Sequence, residues 1–228
     1  MTKLLKIYQN IEGSLAYLLS NNCDEKKFLQ KIFKKKKVTI LDLGCNLGSY
    51  LDLIKNNLKI KKIYAFEPSK SCYEFLKKKY ISEKFNFFNL ALSNKKKVAR
   101  FYEKEITSQS TLKNNKKSIF KNLKNKSIYN INCISLDEFY KSNKKNETYD
   151  IIKIDCEGED FNVLKGSKYL LKNKLVNLLK VEIEFNNDNF FDILNYLNFY
   201  NYRLVTITKV KFNFDQKIQH VDAYFIKK

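Results

Sequence analysis

From Val38 onward the chain alternates short apolar runs with helical stretches, and this pattern restricts it to βαβ units that build a largely parallel sheet. The runs are Val38–Leu43, Lys62–Phe66, Phe85–Leu90, Ile151–Ile154, Leu178–Ile183, Tyr202–Ile207 and Ala223–Ile226. They predict an α/β, Rossmann-like fold with a seven-stranded, mostly parallel sheet and helices on both faces. Val98–Tyr102 and Tyr129–Ile134 predict two extra strands that flank a polar stretch from Lys104 to Lys126, a surface loop or a lid over a site. Ahead of Val38, apolar residues at Leu4, Ile7, Ile11, Leu15, Leu18 and Leu19 fall at helical spacing. With 228 residues there is enough chain for one sizeable core. The expected division is a helical extension over 1–36 and a main domain over 37–228, with an insert at about 98–134.

Composition excludes some classes of function. Apolar stretches such as Leu15–Leu19 and Val176–Leu179 fall far short of the roughly 18 residues a membrane span needs. The lysine-bearing N-terminus has no apolar core followed by a small-residue cleavage site, so no secretion signal is expected. Five scattered cysteines without a Cys-x-x-Cys pair argue for reduced thiols in a cytoplasmic protein and against a zinc site. The formal charge of +20 fits an anionic acceptor, a nucleic acid or a membrane surface, but it fits equally well a compositional excess of lysine spread over the solvated surface.

Only five glycines and one proline occur, and all but Gly13 lie in three segments. In the first, LDLGCNLGSY, an apolar strand runs into a turn at Gly44–Gly48 and then a helix expected over Leu47–Leu58. Glycine there permits positive φ and close approach to a ligand, and the helix N-terminus offers unpaired N–H donors. The set Asp42, Gly44, Asn46, Gly48 differs from a dinucleotide fingerprint in its spacing and its leading acid. A carboxylate would repel a pyrophosphate but attract the ammonium and sulfonium of S-adenosylmethionine. In the second segment, AFEPS, Glu67 ends a strand 23 residues beyond Gly44, close to the roughly 20-residue spacing at which a carboxylate meets ribose hydroxyls.

The third segment, IKIDCEGEDFNVLKG, follows another strand, so its acids should face the same crevice. Asp155 and Glu157 are expected to orient or deprotonate an acceptor hydroxyl, and Glu159 and Asp160 to cap the next helix. Glu182 and Glu184, two apart on a strand, share one face. With Asp155 they form a candidate oxygen-ligand set for a divalent cation, or they are salt-bridged to nearby lysines. The sole histidine, His220, stands ahead of the expected last strand as a possible general base or a plain surface residue.

The ordered motifs DLGCNLG, FEPS, SLDEF and IKIDCEGEDFNVLKG resemble those of the FkbM family of methyltransferases, over about Val38 to Glu184. This resemblance implies a class I methyltransferase fold and methyl transfer from S-adenosylmethionine to a substrate oxygen. By position it puts Asp42, Gly44, Asn46, Gly48 and Glu67 in the cofactor pocket and Asn89 and Ala91 near the adenine. It places Ser108, Ser110 and Thr111 in a segment that reaches the acceptor; Glu182, from its strand-end position, is a further candidate for contact with the acceptor. The expected acceptor is a hydroxyl of a small molecule or glycan, with an anionic group favoured by the charge alone. RNA methylation is a second reading, weakened by the absence of an Asn-Pro-Pro-Tyr-like segment and of a separate RNA-binding module. A non-catalytic binding protein on the same fold is a third. A nicotinamide-dependent oxidoreductase would want the third fingerprint glycine.

Overall fold

The computed structural model describes residues 24–104, 110–112, 125–143, 147–185, 189–212 and 218–228. Ten strands occur among them: β1 Lys37–Leu43, β2 Lys59–Phe66, β3 Phe85–Phe88, β4 Ala91–Leu92, β5 Lys97–Lys104, β6 Asn125–Ile134, β7 Tyr149–Ile154, β8 Val176–Glu184, β9 Tyr202–Phe212 and β10 Ile218–Lys227. Seven of them form one sheet in the order β3-β2-β1-β7-β8-β10-β9. β1 pairs parallel with β2 and β7, β2 with β3, and β7 with β8, whereas β10 runs antiparallel to β8 and β9. All seven strands expected from the apolar runs are present, and so are the two extra ones. β5 and β6, with β4, form a separate three-stranded sheet closed over Ala91, Phe101, Ile131 and Cys133.

Parallel neighbours need crossover connections, and the helices that supply them cover both faces of the sheet. α1 (Glu25–Phe33), α2 (Ser49–Asn57) and α3 (Lys70–Lys79) bury Leu29, Phe33, Leu51, Ile54 and Leu76 against Val38, Ile40, Ile63 and Ala65. α4 (Leu136–Ser142), α5 (Asp160–Lys165), α6 (Lys168–Lys172) and α7 (Asn189–Phe199) lie on the other side, over Leu41, Leu43, Phe66, Ile152 and Ile154. Alternate residues of β1 therefore serve opposite cores, which is why a strand buried on both faces reads as a continuous apolar run. Ser135 and Glu138 of the SLDEF segment form a reciprocal capping box that starts α4.

The α1–α2 face carries a buried polar row. Strand register aligns Asp42 with Lys153, Lys153 with Lys180, and Lys180 with Tyr224 across β1, β7, β8 and β10. Lys180 Nζ sits 2.6 Å from Glu25 of α1 and 2.8 Å from Asp222, with its charge over the Tyr50 ring at 4.7 Å. Through Glu25, Leu29 and Phe33, α1 is fastened into the main core.

Candidate active site

The order of strands reverses where β1 lies between β2 and β7, so the crevice opens at the carboxyl ends of β1 and β7. At its floor the chain leaves β1 through Gly44, Asn46 and Gly48, all at positive φ (77°, 46° and 85°). A Cβ on Gly44 would stand 1.9 Å from the Asp155 carbonyl oxygen, so glycine is required where two strand ends meet. The close approach demanding that glycine is to β7 rather than to a ligand. α2 starts at Ser49, two residues later than the sequence suggests, because Gly48 in the left-handed region occupies the cap position. No side chain caps its first amides, which therefore present their partial positive charge at the crevice. Tyr80 braces this turn, its hydroxyl oxygen lying 2.8 Å from the Gly48 carbonyl and 2.7 Å from Asp52 Oδ1 so that its one proton is shared between them.

Beneath the turn lies a buried charge cluster that the motifs alone did not reveal. Asp42 is fully buried, and neither carboxylate oxygen makes a well-aligned hydrogen bond among the described residues. Lys153 Nζ stands 3.2 Å from Asp42 Oδ1 and 3.2 Å from Asp155 Oδ2, and donates to the Gly44 carbonyl at 2.6 Å. Burial pushes the Asp42 carboxyl up, against the pull of Lys153. Burial disfavours the Lys153 ammonium too, but Asp155 and Asp42 outweigh it and hold its pKa well above the ordinary lysine value. Lys153 is thus the cation that permits two acids at the crevice floor. Its sequence signal was a lysine interrupting an apolar strand two residues before Asp155.

Glu67 directly follows β2 beside this turn and is buried. Its Oε2 accepts from Asn46 N at 2.6 Å and its Oε1 from Ser69 N at 2.8 Å. Burial raises its pKa to about 7 in spite of these amides. Asn89 Nδ2 donates to the backbone carbonyls of Glu67 and Pro68 at 2.9 and 3.0 Å, bracing the corner from behind. Ala91 is buried among Phe101, Ile131 and Cys133 in the small sheet.

A second carboxylate group extends from the crevice floor through Asp155. Asp155, Glu157 and Glu182 converge, each offering an oxygen within 4.8 Å of the others. Glu184 is not part of that convergence; His220 faces Glu182 with Nε2 3.9 Å from Oε1, and it lies inside β10 rather than ahead of it. Such an all-oxygen set suits a hard divalent cation in kind, although Lys153 already occupies one side of Asp155. Burial works against ionisation of Asp155, but Lys153 and a hydrogen bond from Glu182 hold its carboxyl below the usual range. Burial and the Asp155 charge push Glu182 up, and the two carboxyls titrate as a hydrogen-bonded pair. Glu157 rises to about 9 through burial and the neighbouring Asp155 and Asp160. Burial and lysine neighbours, Lys211 foremost, press His220 below its ordinary value, leaving a neutral imidazole at pH 7.

Ser108 lies outside the described residues. Ser110 Oγ accepts from Lys104 N at 3.0 Å, and Thr111 Oγ1 donates to the Glu157 carbonyl at 2.8 Å, so Thr111 alone of this trio is shown in contact with the acidic loop. Glu159 and Asp160 act differently from simple caps. Glu159 holds the N-cap position without a side-chain cap bond and receives Ser93 Oγ at 2.9 Å instead. Asp160 turns back to accept from Cys156 N at 2.7 Å and Gly158 N at 3.1 Å, clamping the loop that carries Glu157.

The family model of the methyltransferase FkbM domain matches residues 42–204, from the buried Asp42 through the acidic loop to β9. The chain belongs to the FkbM methyltransferase family. Among solved structures, the FkbM methyltransferase from Methylobacillus flagellatus KT is similar at 14% identity with a TM-score of 0.55, covering 83% of this chain and 43% of that one. The METTL16 methyltransferase domain is similar at 12% identity and a TM-score of 0.51, over 89% and 64% of the two chains. An rRNA methylase from Streptococcus thermophilus matches at 11% identity and a TM-score of 0.49, over 89% and 93%. At such identities the first two show a shared fold alone, the class I methyltransferase fold. The chain spans less than two thirds of the length of either. No curated protein matches it. The FkbM assignment rests on the matched segment, and within it the β1 turn, the Glu67 corner and the Asp155 loop are the parts that meet at the switch point.

Proposed function

We propose that this FkbM-family methyltransferase takes its methyl group from S-adenosylmethionine and delivers it to a hydroxyl of a small molecule or glycan. The observation that carries this reading is the convergence, at one switch point, of the uncapped α2 N-terminus, the Glu67 carboxylate and the ionised Asp155. These residues fit the cofactor's charges. The α2 amides suit its carboxylate, and Glu67, held by two amides, keeps lone pairs for ribose hydroxyls. Asp42, buried and paired with Lys153 beneath the turn, belongs with Asp155 to the acidic floor that faces the ammonium and sulfonium. S-adenosylmethionine supplies an activated methyl carbon when bound.

Asp155, a third exposed and anionic, accepts the hydroxyl proton in a hydrogen bond and orients the oxygen. Glu157 and Glu182 are protonated at neutral pH and act as hydrogen-bond donors and shape the pocket. A strong base is not required, because aligning two bound reactants supplies roughly 7–11 kcal/mol. The acidic lining favours a neutral hydroxyl at the reacting end and places any acceptor anion farther out, toward the lysine-rich surface. Thr111, and Ser108 and Ser110 beside it in sequence, belong to the acceptor side in this reading. The described cysteines form no disulfide with one another, which suits the reducing cytoplasm of this reading; no described helix is long and apolar enough to cross a membrane.

Calorimetric titration of the full chain with S-adenosylmethionine and, separately, NADH tests the cofactor assignment, with Glu67→Gln as the variant. Binding of the first ligand only, weakened at least tenfold in the variant, supports it; absence of binding to folded protein overturns it. Sugar and secondary-metabolite hydroxyls would then be screened for methyl transfer by mass spectrometry.

A further inference from the structure

The corner that carries Glu67 is gripped by the small sheet, and the grip centres on one buried carboxylate. Glu103 of β5 accepts from Ser69 Oγ and, at 2.8 Å, from Ser71 Oγ through Oε1, and from Ser127 Oγ of β6 at 2.7 Å through Oε2. Ser69 is the N-cap of α3, its Oγ accepting from Cys72 N at 3.2 Å, and its own amide is the donor to Glu67 Oε1. Tyr129 of β6 adds a second tie, accepting from Lys70 N at 3.1 Å and donating to the Pro68 carbonyl at 3.4 Å.

We propose that Glu103 is a positioning residue of the cofactor site: it fixes Ser69, and through the Ser69 amide it fixes the orientation in which Glu67 meets the ribose hydroxyls. The inference rests on the reading of Glu67 as the ribose carboxylate. Chemistry favours a carboxylate here, since three hydroxyl donors converge and only an ionised acid offers two acceptor oxygens with lone pairs for all of them. Burial disfavours the charge, yet the hydroxyls of Ser69, Ser127 and Ser71 hold Glu103 below the usual glutamate range, so it stays anionic. A passive link between two elements would not need a buried charge, which is costly unless its hydrogen bonds are made. The same hairpin is bridged to Thr111 through Tyr102, and Thr111 reaches the Glu157 carbonyl. The small sheet therefore touches both walls of the crevice.

The test is calorimetric binding of S-adenosylhomocysteine and of its 2′,3′-dideoxy analogue to the full-length wild type, Glu103→Ala, Glu103→Gln and Glu67→Gln. The dissociation constant of the dideoxy analogue divided by that of S-adenosylhomocysteine reads the ribose contact, and a general loosening of the fold does not change this ratio. Glu103→Ala is expected to lower that ratio about tenfold, equivalent to about 1.4 kcal/mol, with affinity for the dideoxy analogue unchanged. Glu103→Gln, which keeps one acceptor oxygen, is expected to fall between. Equal weakening of both ligands by Glu103→Ala, or no change in either, overturns the inference. If Glu67→Gln collapses the ratio while Glu103→Ala leaves it intact, only the inference fails. If Glu67→Gln keeps the full ratio, the reading of Glu67 fails with it. Should Glu103→Ala not fold, Glu103→Gln carries the same two outcomes.

Discussion

Replacing Lys153 by Met removes the single cation between Asp42 and Asp155 while keeping the length and apolar stem of the side chain. The wild-type ammonium makes three contacts, to Gly44 O, Asp42 and Asp155. Its loss leaves a fully buried Asp42 with no charged partner at 3.2 Å and no aligned hydrogen bond. Breaking a buried pair from one side costs about 3–5 kcal/mol. For a chain of this size each kcal/mol moves Tm by roughly 2–4 °C, so a fall of roughly 6–20 °C is expected. The pH dependence has a definite sign. In the wild type, Asp155 titrates below its unfolded value, so its contribution is present above about pH 4 and fades as pH falls through the folded value. In the variant Asp42, already pushed up by burial in the wild type, rises further and Asp155 loses the strongest pull that held it down, so the folded state binds more protons and stability falls more steeply as pH rises. The gap between wild type and variant should therefore widen from pH 5 to pH 8 in thermal unfolding followed by circular dichroism. Asp42→Asn/Lys153→Met, which removes both buried charges, should recover most of the loss. A variant within about 1 kcal/mol of wild type at pH 8, or a gap that does not change with pH, would refute the idea that Lys153 neutralises the crevice floor.

Three other outcomes follow from the same geometry. With Glu67 titrating near pH 7, affinity for S-adenosylmethionine should rise between pH 6 and pH 8 as the carboxylate ionises; Glu67→Gln should flatten that profile in calorimetry. Gly44→Ala should yield little folded protein, since its Cβ would sit 1.9 Å from a backbone oxygen at φ 77°, and soluble yield with a normal melting transition would contradict this. Asp155→Asn should lower kcat for the acceptor by about tenfold to a hundredfold, with a smaller change in the cofactor dissociation constant; equal loss in both would place Asp155 in cofactor binding alone.

Periodicity is a local property, and what depends on it was legible before any coordinates. The seven strand positions, the β1 turn and the strand-end acids Glu67 and Asp155 follow from apolar runs and from glycines placed a few residues apart. The reason for Gly44 was only half legible: positive φ could be expected, but the backbone of Asp155, more than a hundred positions later, supplies the clash. Asp160 looked like a helix cap because it opens a helix, yet its carboxylate is spent on the loop behind it.

The alternation of apolar and polar residues by itself determined the fold class, the number of strands in the main sheet and the place of the crevice, because burial on one or both faces acts on residues two or four positions apart. Tertiary structure alone decided which charges meet. Lys153 joins Asp42 because β7 lies parallel to β1 in one register. Lys180 reaches Glu25 across 155 positions, and Glu103 reaches Ser69 across a separate sheet. A buried charge is tolerated only beside its partner, and partnership across strands is set by sheet order and register, which no local pattern encodes.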